Sequence, residues 1–183
     1  MADSTVRHGE GGATRRDVLD VVTWSALAIG GATLVWPLIN SMNPSADVLA
    51  LSSTEVDLSQ IPEGVGITVM WRGKPTFVRH RTAEEIQEAR DVPIEQLKDP
   101  QTDAERVTAG KEQWLVVGGN CTHLGCVPLG NKPTDNRGPF GGWFCPCHGS
   151  EYDTSGRIRV GPAPTNLPVP EHSFVSDTVL QIG

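Results

Sequence analysis

Four cysteines and two histidines stand in two short runs, Cys121-Thr122-His123-Leu124-Gly125-Cys126 and Cys145-Pro146-Cys147-His148-Gly149-Ser150, and no cysteine lies elsewhere in the chain. Thiolates and neutral imidazoles are both metal ligands. One run offers a Cys-x-His pair and the other a Cys-x-x-His pair, which together make a complete first shell. Tetrahedral zinc accepts such a set, and so does a [2Fe-2S] centre in which two histidines replace two cysteines on one iron. The donor types alone leave both open. Cys126 and Cys147, one in each run, are left over.

Both runs, the second continuing to Ser150-Glu151-Tyr152-Asp153, are complete motifs that resemble those of the Rieske iron-sulfur proteins of cytochrome bc1 complexes. The likeness extends through Thr14-Arg15-Arg16, Trp36-Pro37-Leu38-Ile39-Asn40, the stretch from Met42 onward, and Gly161-Pro162-Ala163-Pro164. It implies one [2Fe-2S] cluster per chain, with Cys121 and Cys145 on one iron and His123 and His148 on the other. It also implies a Cys126–Cys147 disulfide, a clamp on the two loops that belongs to an oxidising compartment.

Further roles follow from the same resemblance. Ser150 would donate to a bridging sulfide and Tyr152 to the Cys121 sulfur, and such hydrogen bonds favour the reduced state. His148 would project from the tip towards quinol bound in cytochrome b and take up an electron and a proton, with His123 as the second exposed ligand. Leu124 and the Gly161–Pro164 loop would shield the cluster, and the haem of cytochrome c1 would receive the electron. A mixed His/Cys centre has a higher potential than an all-cysteine one, which suits that task.

The elements that must position these loops read as mainly β. Apolar residues alternate at Ile67, Val69 and Trp71, and Arg72-Gly73-Lys74-Pro75 turns the chain into Thr76–His80, a hairpin. Thr82 and Glu85 form a capping box for a helix over Thr82–Ala89, which Pro93 stops. Gln96–Gly110 is polar and reads as loop. Trp114–Val117 is a buried strand delivering Gly118, Gly119 and the first metal run, and Gly141–Phe144 delivers the second. Asn131–Pro139, rich in Pro, Asn and Gly, reads as a surface excursion of no consequence to the chemistry. Tyr152–Val160 reads as a hairpin around Thr154-Ser155-Gly156, and Ser173–Ile182 as two closing strands turned at Asp177. His8, His80 and His172 are surface or packing residues.

Val21–Ile39 runs for 19 residues without a charge. At the helical rise it covers roughly 28 Å, close to the ~30 Å of bilayer hydrocarbon. Thr14-Arg15-Arg16-Asp17 just before it reads as a twin-arginine export signal. Positive flanks stay cytoplasmic, so the rest of the chain is delivered to the far side. No clean small-x-small cleavage site follows, and the anchor is expected to be retained. The expected organisation is a cytoplasmic N-terminus over 1–20, a transmembrane helix over 21–39, a flexible neck over 40–51, and a head over 52–183 whose cluster-binding part, about 119–161, is inserted in an antiparallel β domain. The head would sit on the periplasmic side of a bacterial inner membrane.

With 183 residues, 15 basic against 22 acidic, the formal charge is −7, which argues against a nucleic-acid partner. Four functions compete at this stage. One is the electron-carrying subunit of a quinol-cytochrome c reductase, not catalytic alone. A second is the Rieske small subunit of a periplasmic oxidase such as arsenite oxidase. A third is an oxygenase or ferredoxin relay, which lacks the extra cysteine pair, and a fourth is a zinc- and disulfide-stapled binding module.

Overall fold

The computed structural model describes residues 13–44 and 52–183, in two compact units that divide between Leu49 and Ala50. The first holds one helix, α1 (Arg15–Asn40). It starts six residues ahead of the apolar run because Thr14 caps it: Asp17 N donates to Thr14 Oγ1 (3.3 Å), and Thr14 N donates to Asp17 Oδ2 (2.9 Å). Arg15 and Arg16 are therefore its first helical residues. Pro37 lies near the C-terminal end, where the backbone N–H it lacks costs little continuity before the helix stops at Asn40. No residue of α1 is buried, and in length and composition it suffices to cross a membrane.

The second unit is three antiparallel sheets. The middle one orders β2 (Gly66–Trp71), β3 (Lys74–His80) and β4 (Trp114–Gly118). A second joins β1 (Thr54–Asp57), β9 (Val179–Ile182) and β8 (His172–Phe174) in the order β1-β9-β8. The third orders β5 (Gly141–Cys145), β6 (Ser150–Asp153) and β7 (Ile158–Val160). The hairpin turn between β2 and β3 is only Arg72-Gly73, with φ of 48° and 72°. Positive φ at both central residues matches the twist of the strands it joins.

Side chains alternate across a strand, and the middle sheet uses both faces. Val78, Trp114 and Val116 pack with Val56, Leu58, Ile61, Leu180 and Ile182 of the β1-β9-β8 side. Phe77, Leu115 and Val117 pack with Trp143, Tyr152, Ile158 and Leu167 of the β5-β6-β7 side. This is why Trp114–Val117 is an unbroken apolar run: both of its faces are covered. Phe77 and Trp143 stack with centroids 5.8 Å apart.

The helix α2 (Ala83–Asp91) carries the expected capping box and ties the middle sheet to the third through buried charge. Glu85 pairs with Arg79 at 2.6 Å and with Arg137 at 2.6 Å. Asp103 pairs with Arg81 at 2.6 Å and accepts from Ser155 Oγ at 2.7 Å. Arg157 pairs with Asp153 and donates to the Ala89 carbonyl. Burial raises the carboxyls of Glu85 and Asp103, but the adjacent arginines outweigh it and hold both below the usual carboxylate range. Arg106, lowered to about 10 by burial, donates to the carbonyls of Ser155 and Leu167.

Two polar stretches are therefore more than loop. Within Gln96–Gly110, Asp103–Arg106 forms a 3-10 turn with Asp103 and Arg106 buried. In Asn131–Pro139, buried Asn131 donates to Thr68 Oγ1 (2.9 Å) and accepts from Trp143 Nε1 (2.9 Å), while Arg137 completes the Glu85 pair. The excursion is stitched to the strand that delivers the second metal run. His80 stacks on Trp114 at 4.1 Å and His172 is half-buried, so both are packing residues, and His8 lies outside the described residues.

Candidate metal centre

The two metal runs fold alike because each closes on a glycine. Gly125 N donates to the Cys121 carbonyl (2.8 Å) and Gly149 N to the Cys145 carbonyl (3.0 Å), a turn of five residues in each case. Gly125 has φ 81° and Gly149 φ 73°, a left-handed conformation that a Cβ would strain. Cys126 O accepts from Cys121 N (2.7 Å), closing the first loop a second time. Leu129 and Phe144 exchange backbone hydrogen bonds of 2.8 and 2.9 Å, fixing the exit of the first loop against β5, which delivers the second.

This geometry brings the six motif residues together. Cys121 and Cys145 are both free thiols, 3% and 2% exposed, and the Cys121 sulfur takes a hydrogen bond from Cys145. The rings of His123 and His148 meet edge-on with centroids 4.7 Å apart. Cys126 and Cys147 form a disulfide that bridges the loops. The sulfurs of Cys126, Cys145 and Cys147 lie within 4.8 Å of one another, but the two in the disulfide have no lone thiolate to give, so they are not a ligand trio. His148 is exposed at the tip; His123 is half-buried, less open than its expected role as second exposed ligand.

Tyr152, fully buried, donates its hydroxyl to Cys121 Sγ at 3.3 Å. Burial, and then the hydrogen bond to Cys121, push its phenol well above the ordinary range, so it remains a donor at every physiological pH. Thr122 N donates to the same hydroxyl oxygen (3.3 Å), and Thr122 Oγ1 donates to the Thr165 carbonyl (2.7 Å). Thr122 gave no sign of this in the sequence beyond standing next to Cys121. Ser150, also buried, accepts from Ala163 N at 3.2 Å, so its own proton can be donated on the sulfur side. Leu124 is 70% exposed, an apolar side chain held in solvent beside the loops.

The donors fit an iron-sulfur centre. His123 Nδ1 is buried and has no hydrogen-bond partner, an orphan that a metal would satisfy. Burial opposes charge on Cys121, yet hydrogen bonds from Tyr152, the His123 backbone, Cys145 and Ser150 outweigh it and set this thiol below its ordinary range. Burial pushes Cys145 up, with the Cys121 charge adding to it. A cationic iron centre held by the two sulfurs would favour both as thiolates.

A family model described as "Rieske [2Fe-2S] domain" matches residues 76–171, and one described as "Ubiquitinol-cytochrome C reductase Fe-S subunit TAT signal" matches residues 5–45. The Rhodospirillum rubrum protein named "Ubiquinol-cytochrome c reductase iron-sulfur subunit" is 58% identical over 182 residues, spanning 100% of this chain and 98% of that one. A mitochondrial protein of Candida albicans, "Cytochrome b-c1 complex subunit Rieske, mitochondrial", is 54% identical over 85% of this chain and 70% of its own length. A solved chain titled "Hyperthermophilic respiratory Complex III" superposes with a TM-score of 0.54 at 25% identity, covering 87% of this chain and 98% of that one. Sheets, paired loops and N-terminal helix thus make up a membrane-anchored Rieske [2Fe-2S] protein. Within that class, the chain belongs to the family of Rieske iron-sulfur subunits of ubiquinol-cytochrome c reductase.

Proposed function

We propose that this chain takes an electron and a proton from quinol at a cytochrome b site and passes the electron to cytochrome c1, as the mobile electron carrier of a quinol-cytochrome c reductase. One observation carries the reading: an exposed imidazole, His148, set against His123 at 4.7 Å, beside two thiols buried to 3% and 2%. A reductant can reach the imidazole while the thiols stay dry. Cys121 and Cys145 would hold one iron, and His123 and His148 the other. When bound, the cluster supplies a one-electron acceptor of raised potential.

The chain's own residues do the rest. His148 is exposed, so a ring nitrogen not used by iron would accept the quinol's hydrogen bond and then hold the proton. Tyr152 donates to Cys121 Sγ, and Ser150, whose oxygen is held by Ala163 N, would offer its proton to sulfur, so both would stabilise added negative charge. Leu124 keeps an apolar surface at the tip for docking on cytochrome b. The disulfide prevents the loops from parting.

The organisation proposed with it is a cytoplasmic segment over 1–20, a span over 21–39, a neck over 40–51, of which 45–51 lie outside the described residues, and a periplasmic head over 52–183. The span is an uncleaved anchor in the bacterial inner membrane, and the chain is not catalytic alone. A subunit of a periplasmic oxidase such as arsenite oxidase is not favoured, since the relatives reported above are named as subunits of ubiquinol-cytochrome c reductase or of a cytochrome b-c1 complex. Quinol-dependent cytochrome c reduction in membranes with and without this chain tests the proposal. Activity that appears only with the chain, co-purifying with b- and c-type haems, supports it; activity indifferent to the chain, or co-purification with molybdenum, overturns it.

A further inference from the structure

A third loop, Gly161–Asn166, lies against the two metal runs. Gly161 comes so close to the second that a Cβ there would stand 2.6 Å from the Gly149 carbonyl oxygen and 2.6 Å from Ser150 Cα. Ala163 N reaches Ser150 Oγ at 3.2 Å, and the Thr165 carbonyl accepts from Thr122. Within the loop, Pro162 and Pro164 have no backbone donor, and Asn166 Oδ1 accepts from Ile158 N at 2.9 Å.

What holds it comes from a segment more than sixty residues earlier. Lys98 Nζ donates to the carbonyls of both Gly161 (3.1 Å) and Ala163 (2.8 Å), bridging the loop's bend. The next residue, Asp99, accepts from Asn166 N through Oδ2 (2.9 Å) and from Asn166 Nδ2 through its carbonyl (3.0 Å). An ammonium has three donors and no acceptor, so it can serve two carbonyls at once. Its hydrogen bonds are charge-assisted, about twice as strong as neutral ones.

We propose that Lys98 is a positioning residue for the metal centre. It staples the Gly161–Ala163 bend so that Ala163 N stays on Ser150 Oγ, which keeps the Ser150 hydroxyl proton directed at the cluster. This rests on the [2Fe-2S] reading above. Lys98 touches neither a ligand nor quinol. It acts through the loop, and it places a fixed positive charge beside a centre that gains an electron. Slackening Ser150 and removing that charge both disfavour the reduced state.

The test compares Lys98→Met and Lys98→Arg in the full-length chain within its complex. Two quantities are read: amide hydrogen exchange at Ala163 and the midpoint potential of the iron-sulfur signal. Lys98 is exposed and belongs to neither core cluster, so the fold tolerates the change. K98M is expected to speed exchange at Ala163 by about tenfold and to lower the potential, while K98R, which keeps the charge and a forked donor, restores both. Lys98→Gln, whose shorter amide cannot span both carbonyls, should fall between them. Exchange and potential at wild-type values in K98M overturn the proposal, and so does a K98R indistinguishable from K98M. An absent iron-sulfur signal in the wild-type complex would instead sink the cluster reading itself, and the staple with it.

Discussion

Two hydroxyls are proposed to set how readily the centre accepts an electron, and their geometry makes them separable. Tyr152 reaches Cys121 Sγ directly, whereas Ser150 is oriented from behind by Ala163. A hydrogen bond worth about 1 kcal/mol to the reduced state corresponds to about 40 mV for one electron. Tyr152→Phe and Ser150→Ala are each expected to lower the midpoint potential by roughly that amount without loss of the cluster, as a redox titration would read. At this scale the motifs made the six metal-run residues and the two hydroxyls legible, because ligand chemistry restricts both type and spacing. Thr122 and Lys98 were not legible: an ordinary threonine and lysine acquire their roles only when the fold sets them against Tyr152 and Gly161.

The metal loops sit on the ends of β4 and β5, and their rigidity is borrowed from α2 and from the turn at Asp103–Arg106 through buried ion pairs. Losing one partner of such a pair costs about 3 kcal/mol, because the other charge is left buried. Glu85→Gln, which unpairs Arg79 and Arg137, is expected to lower unfolding free energy by about that much at neutral pH in denaturant melts. The pH dependence has a definite sign. The Glu85 and Asp103 carboxyls are lowered in the folded state, so their contribution is full above the unfolded values of about 4 and is lost as pH falls through the lowered ones. The gap between wild type and E85Q should therefore narrow in acid, and a gap constant with pH would contradict the role given to Glu85. The strands, hairpins and α2 cap were readable from alternation, the Arg72-Gly73 turn and the Thr82/Glu85 box. The buried pairs were not, because an arginine or a carboxylate signals solvent by its type, and only the folded positions of Arg79 with Glu85, Arg81 with Asp103 and Arg157 with Asp153 reverse that.

For the whole molecule, a tethered carrier needs a head that moves while its centre stays intact. Among the described residues, those that make up its three sheets and two cores all follow Ser52, so changes in the tether are expected to leave the metal centre unaltered. Shortening residues 40–51, or replacing them with a proline-rich spacer, is expected to slow quinol-dependent cytochrome c reduction severalfold while the iron-sulfur spectrum is unchanged; unimpaired turnover would remove the tethered-carrier model. The apolar helix was legible from its uncharged run, but its true start at Arg15 was set by the Thr14 cap rather than by hydropathy. Two thiolates and two imidazoles are proposed to hold iron and inorganic sulfide. Elemental and acid-labile sulfide analysis of the native chain tests it most directly. Two iron and two sulfide per chain, with no stoichiometric zinc, is the predicted result, and one zinc with no labile sulfide would contradict it.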